Sequence, residues 1–121
     1  VILDMGDKFA DIRTERTDIT LKAAAIHARN IAKQYDCAVV WMSQLSAEAE
    51  GRADLNQAMM EGSKTGKAAE ADLMVLIGKT QQAEGEEEDP IRYLNIAKNK
   101  LNGFQGKITC QLDGSRSLYS A

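Results

Sequence analysis

The sequence predicts an α/β fold: a partly parallel sheet with a covering helix, extended by a C-terminal antiparallel hairpin. Three observations carry this. Two continuous apolar runs, Val1-Ile2-Leu3 and Ala38-Val39-Val40-Trp41-Met42, flank a segment of helical periodicity. Apolar strands joined through a helix are the pattern of neighbouring parallel strands. Two β-rich runs, 92–100 and 107–112, are separated only by residues 101–106, too short for a crossover and suited to an antiparallel pair. Finally, 121 residues suffice for one small core and not for two domains.

Taken in order, Val1 to Leu3 reads as a short, fully buried strand. Chain ends are normally exposed, so a chain that starts on a buried strand is expected to be a piece of a longer protein, a truncated half-domain. Gly6 and the charged stretch from Asp7 to Arg16 form a loop. Thr17 or Asp18 suits a helix N-cap, where a side-chain oxygen accepts an orphan backbone N–H. The helix runs to about Gln34, with Leu21, Ala24, Ala25, Ala28, Ile31, Ala32 and Tyr35 on one apolar face. Ala38 to Met42 is the second buried strand. Ser46 to Gly66 has no clean period, and a segment this long between strands is usually functional or mobile. Lys67 to Ala71 forms a short helical turn, and Leu73 to Ile77 a third buried strand in the mostly parallel set. Gln81 to Pro90 is an acidic solvated loop. Arg92 to Lys100 and Lys107 to Leu112 form the hairpin, and Ser117 to Tyr119 adds a last short strand.

Composition excludes several classes. Hydrophobic residues make up 44% and charged residues 27%, an ordinary balance for a water-soluble globular chain. No apolar run is long enough to cross a bilayer, and no basic-then-apolar signal segment opens the chain. Cys37 and Cys110 lie far apart in apolar runs and read as buried free thiols of a reducing cytoplasm. A net charge of −3 does not announce a nucleic-acid binder, but its distribution is uneven. Pro90 to Leu112 holds no acidic residue and carries +4 from Arg92, Lys98, Lys100 and Lys107.

Few residues are placed to carry chemistry. Ligands in open α/β sheets bind beyond the carboxyl ends of the strands. Asp4 ends the first strand, where a carboxylate can hold Mg²⁺ beside a nucleotide; the plainer reading is a turn or cap residue. Gln44 follows the second strand and projects from the same edge. A neutral amide there can contact a γ-phosphate or its attacking water; the plainer reading is a solvated loop amide. Lys98 and Lys100 are expected on one strand face, about 7 Å apart and following Leu94 and Ile96, where they can grip a phosphate or simply keep a strand end soluble. His27 has no partner at metal-ligand spacing and reads as a helix-surface or packing histidine. No G-x-x-x-x-G-K-[ST] occurs, and Gly62 to Lys67 has the wrong spacing for a phosphate cradle.

These pieces, in this order, resemble the second half of the RecA-like motor domain of DnaB-type hexameric replicative helicases of phages and bacteria. Val1-Ile2-Leu3-Asp4 looks like the Walker B strand, and Thr20 to Gln34 like the helix after it. Val39-Val40-Trp41-Met42-Ser43-Gln44-Leu45 is similar to the strand that carries the family's sensor glutamine. Glu70-Ala71-Asp72-Leu73-Met74-Val75-Leu76 resembles the D-A-D strand entry. Ile96 to Gly106 resembles the K-x-R-x-G…G motif. The resemblance covers nearly all of residues 1–121, from the Walker B strand to the hairpin, and implies that the Walker A half and the catalytic glutamate lie before Val1.

The resemblance implies ATP and Mg²⁺ as cofactors and a ring of identical subunits, a hexamer, that translocates on single-stranded DNA. A primase is a further partner that it admits, and no membrane is involved. In the family the K-x-R strand reaches the neighbouring subunit's nucleotide. By position Lys98 is that lysine, and Lys100 stands where the trans-acting arginine is expected. Lysine keeps the charge but loses the planar fork that grips phosphate bidentately. Either Lys100 is a weaker finger, or the finger lies elsewhere, or hydrolysis is slow. The family's DNA-contacting loops fall at Ser46 to Lys67, whose cations are Arg52, Lys64 and Lys67. Two alternatives stay open: another RecA-superfamily ATPase, of recombinase or KaiC-like type, and a non-catalytic α/β module that binds DNA or a partner.

Overall fold

A computed structural model describes residues 1–4, 6, 17–60, 66–85 and 88–121. The chain forms two compact units, one of residues 1–45 and 60–71, the other of residues 46–59 and 72–121.

In the first unit, β1 (Ile2–Leu3) pairs in parallel with β2 (Val40–Trp41), in the register Ile2 to Val40 and Leu3 to Trp41. The parallel pair expected from the two apolar runs is present, and α1 (Thr17–Gln34) connects its strands. Leu21, Ala25 and Ala28 are the buried stripe of α1, at the i, i+4, i+7 spacing of one helix face. The expected cap by Thr17 or Asp18 and the expected loop from Asp7 to Arg16 lie outside the described residues.

The helix ends in a Schellman turn. Asp36 is left-handed, at φ 48°, and the Cys37 N–H reaches back to the Ala32 carbonyl at 3.0 Å. Aspartate tolerates that backbone better than most residues because its short polar side chain bonds locally. The reversal turns the chain into β2. It also carries Tyr35 off the apolar stripe on which its spacing had placed it; Tyr35 is 67% exposed. His27 lies exposed on the helix surface, as its sequence context suggests. A short helix, α2 (Lys67–Glu70), packs against α1. Arg29 Nη1 donates to the Glu70 carbonyl at 2.5 Å, and the Arg29 Nε lies 3.9 Å from the Glu70 carboxylate.

The second unit is a four-stranded antiparallel sheet in the order β3 (Leu73–Gly78), β4 (Ile91–Asn99), β5 (Gly106–Asp113), β6 (Leu118–Ser120). The hairpin and the last short strand are where the sequence places them. The third strand differs: β3 pairs antiparallel with β4, and among the described residues it has no hydrogen-bonded partner in the parallel pair. Apolar content cannot distinguish the two settings, since either kind of strand can be built from Leu, Met, Val and Ile.

Nor are the apolar strands buried on both faces. Along β3 burial alternates: Met74 and Leu76 are inside, while Leu73, Val75 and Ile77 are exposed. Ile2 and Val40 of the parallel pair are exposed as well. The inner face of the antiparallel sheet is covered by the segment 46–59, which contains two 3-10 turns, Ala47–Ala49 and Gln57–Met59, and the buried Leu55. Gly78 permits close approach there: a Cβ on it would lie 2.5 Å from the Arg52 carbonyl oxygen.

Asn95 is the polar pin of this unit. It is buried in β4, its Oδ1 accepts the Leu55 N–H at 3.2 Å, and its Nδ2 donates to the Ala53 carbonyl at 2.9 Å and the Tyr93 carbonyl at 3.2 Å. Truncation would strand buried backbone groups. Asn95→Ala is expected to destabilise the chain by about 2–3 kcal/mol, read as a lower denaturant midpoint at unchanged slope, with faster amide exchange at Leu55. A loss below about 0.5 kcal/mol, the level of an ordinary surface change, would show that the segment is held by packing alone.

Candidate functional site

Asp4 and Gln44 are brought to one edge by the parallel pair. Leu3 stands opposite Trp41, and the Met42 N–H donates to the Leu3 carbonyl at 3.0 Å. Asp4 therefore lies one residue beyond β1, and Gln44 three residues beyond Trp41, both past the carboxyl ends of neighbouring parallel strands. Both are exposed. Gly6 holds the chain after Asp4 against β2: its N–H donates to the Met42 carbonyl at 3.0 Å, and a Cβ on it would fall 2.7 Å from Cδ2 of the Trp41 indole. Gln44 lies between two anchored neighbours. Leu45 bridges to Met60, and the Ser43 hydroxyl accepts a hydrogen bond from Lys67 Nζ at 2.8 Å.

No group of three or more His, Cys, Asp or Glu residues that could hold a metal occurs among the described residues. Asp4 nonetheless fits Mg²⁺ of the kind bound with a nucleotide, which takes one or two carboxylates and fills its octahedron with water and phosphate oxygens. Asp4 would hold that ion, and the ion would neutralise phosphate charge.

Lys98 and Lys100 belong to the antiparallel unit, and they do not share a strand face. Val75 pairs with Ile96 but Met74 pairs with Lys98, so Ala97 is an extra residue, a β-bulge. Cross-strand partners share a face, so Ile96 lies on the exposed face with Val75, and Lys98 on the opposite face with Met74. The expectation that Lys98 continues the face of Leu94 and Ile96 is thus corrected by the bulge. The bulge is held from outside the sheet, since Gln57 Nε2 donates to the Ala97 carbonyl at 2.8 Å.

Lys100 lies beyond the strand. β4 ends at Asn99, whose Oδ1 accepts the N–H groups of Leu101 and Asn102 at 3.0 and 3.4 Å. This side-chain turn, rather than strand alternation, aims Lys100. The Lys100 N–H donates to the Asp72 carbonyl at 2.8 Å, and its Nζ lies 3.8 Å from the Asp72 carboxylate. At the tip, Leu101 and Phe104 are exposed and Gly103 takes a φ of 78°.

The positive charge of the hairpin is largely answered by carboxylates. Arg92 is buried, with Nη2 2.7 Å from Glu88 and Nη1 on the Asp89 and Ile91 carbonyls. Lys107 Nζ lies 2.6 Å from Asp54 and 5.3 Å over the Tyr93 ring. An open groove of about 610 Å³ beside this pair is lined by Asp54, Gln57, Asn95, Ala97, Gln105 and Lys107, a mixture that favours neither sign of charge.

The expected DNA-contacting cations also separate. Arg52 is exposed, and Lys64 lies outside the described residues. Lys67 is 6% exposed, and its ammonium is directed to Ser43 at the end of β2 rather than offered to a polyanion in solvent. Sequence reasoning missed Ser43 and Asn95, and no local pattern marks either. Cys110 is buried, Cys37 partly so, and both are free thiols. No described helix is long and apolar enough to cross a membrane.

No protein-family model and no curated protein matches the chain. Solved structures do. The ATPase domain of one DnaB-like replicative helicase superposes with a TM-score of 0.74 at 18% identity, covering 91% of this chain and 39% of its own. A second DnaB-like replicative helicase, solved for its interactions with primase, superposes with a TM-score of 0.80 at 18% identity, covering 98% of this chain and 30% of its own. The chain thus spans well under half the length of either. Over these 121 residues it has the fold of part of the ATPase domain of a DnaB-like replicative helicase.

Proposed function

We propose that residues 1–121 are the C-terminal half of the motor domain of an ATP-dependent replicative DNA helicase, from the Walker B strand to the hairpin. The observation that carries this is the placement of Asp4 and Gln44 past the carboxyl ends of two neighbouring parallel strands. That edge is where α/β sheets bind ligands, and the two side chains have the chemistry of a Mg²⁺-holding carboxylate and a phosphate-sensing amide. The apolar residues open to solvent, among them Ile2, Val40, Val75 and Ile77, support a setting in a larger domain that covers them. In this reading Lys98 and Lys100 serve the nucleotide of an adjacent identical subunit in a hexameric ring, and the ring moves on single-stranded DNA in the cytoplasm. Arg52 and Lys64 remain the DNA-contacting cations of the reading. Primase, with which one structural neighbour interacts, is a further partner of the whole protein.

The sequence holds no phosphate-binding loop, and no other residues here supply its oriented backbone N–H groups. The 121-residue chain by itself is therefore expected to hydrolyse no ATP, whereas the full-length protein is expected to show Mg²⁺-dependent hydrolysis stimulated by single-stranded DNA and coupled to strand separation. A phosphate-release assay on both decides the matter. Turnover by the chain alone, or a full-length protein blind to single-stranded DNA, would overturn the reading.

A further inference from the structure

Lys67 is the first residue of α2, yet it is 6% exposed. A buried ammonium loses its hydration and persists only where hydrogen bonds replace it. One of those bonds runs from Nζ to Ser43 Oγ at 2.8 Å. Because the ammonium only donates, the serine oxygen must accept, and the single hydroxyl proton points away from the lysine. The same hydroxyl approaches the Gln44 carbonyl, at a long 3.5 Å. The lysine is itself fixed. Arg29 of α1 holds the end of α2 through the Glu70 carbonyl, and Gly66, left-handed at φ 84°, turns the chain into α2 beside the aliphatic stem of Lys22. On the far side of Gln44, Leu45 is bridged to Met60. The exposed Gln44 side chain thus rises from a backbone pinned on both sides, and one of the pins is a buried charge.

We propose that Lys67 is a positioning residue for Gln44: by holding Ser43 it sets the Gln44 amide at the end of β2 and ties that setting to the start of α2. This rests on the reading of Gln44 as the amide that meets the terminal phosphate. A positioning role predicts an effect on turnover more than on nucleotide binding, and an effect that exists only while Gln44 is present.

The test uses the full-length ring and four variants: Lys67→Met, which keeps an apolar stem but removes the donors, Ser43→Ala, Gln44→Ala, and the double variant Lys67→Met with Gln44→Ala. Lys67→Met and Ser43→Ala are each expected to lower kcat by about tenfold, the scale of a small misplacement of a reacting group, with little change in KM for ATP. In the double variant the Lys67 change is expected to add nothing to the loss caused by Gln44→Ala, as for two residues that act as one unit. Should Lys67→Met not fold, as judged by its thermal transition, Ser43→Ala alone and in the Gln44→Ala background carries the same test. Losses that multiply, or full turnover in Lys67→Met beside a crippled Gln44→Ala, would overturn the inference and leave the role of Gln44 standing. Full turnover in Gln44→Ala itself would remove the reading of the site and the inference with it. Weakened single-stranded DNA affinity with unchanged turnover of bound rings would make Lys67 a DNA contact instead.

Discussion

Lys98→Ala in the full-length protein is expected to lower the ATPase turnover of assembled rings by on the order of a thousandfold, while each subunit's own affinity for nucleotide stays nearly intact. The reason is differential binding. A cation delivered from a neighbouring subunit meets charge that develops during phosphoryl transfer, so its removal raises the barrier without weakening ground-state binding. Lys98 suits that task better than Lys100. It stands in β4 directly after the Ala97 bulge, paired with Met74 of β3, and bulges are a recurrent means of re-aiming a side chain. Lys100 lies in the turn facing Asp72. Lys100→Arg is accordingly expected to be tolerated, and to speed hydrolysis if the planar fork can reach the phosphate. Rings doped with Lys98→Ala subunits should lose activity more steeply than the doped fraction if firing is coupled around the ring. A role within its own subunit would instead appear as weaker nucleotide binding by the variant subunit. Normal turnover in rings of Lys98→Ala would reduce the lysine to a strand-end charge and remove the strongest support for action between subunits.

Asp4→Ala in the same protein is expected to bring Mg²⁺-supported hydrolysis to background, a loss of about a thousandfold or more, given the several kcal/mol by which a bound metal stabilises transferring phosphoryl charge. The fold should survive. Asp4 is exposed and lies past the end of β1, where surface substitutions usually shift stability by no more than about 0.5 kcal/mol. Calorimetric titration separates the two effects: nucleotide should still bind without Mg²⁺, and the increment that Mg²⁺ adds should vanish. Wild-type turnover in Asp4→Ala would place the metal-holding carboxylate elsewhere, and unfolding of the variant would make Asp4 a structural turn residue.

Much of the fold was legible because it follows from short-range pattern. The apolar runs around a helical stretch with a buried Leu21, Ala25 and Ala28 stripe do specify a parallel pair linked by a helix. The short, Gly- and Asn-containing connection after Asn99 does specify a hairpin. Asp4 and Gln44 could be placed at one edge from the sequence because strand ends are set by where the apolar runs stop.

What only the tertiary structure decided depends on register and covering, which are properties of pairs of segments and not of either one. Whether β3 joins a parallel or an antiparallel neighbour is invisible in Leu73 to Ile77, since the same side chains serve both. The face of Lys98 was misplaced because alternation assumes an unbroken ladder. One unpaired residue, Ala97, held by Gln57 from a distant loop, inverts every face assignment after it. Lys67 reads as a surface cation by residue type, and it is buried because the Arg29–Glu70 contacts hold α2 where its side chain reaches Ser43. Sequence by itself determined which residues could form strands and helix and where the parallel strands end. The folded chain determined which charges face solvent, because a long side chain's environment is set by the elements packed around it and not by its neighbours in sequence.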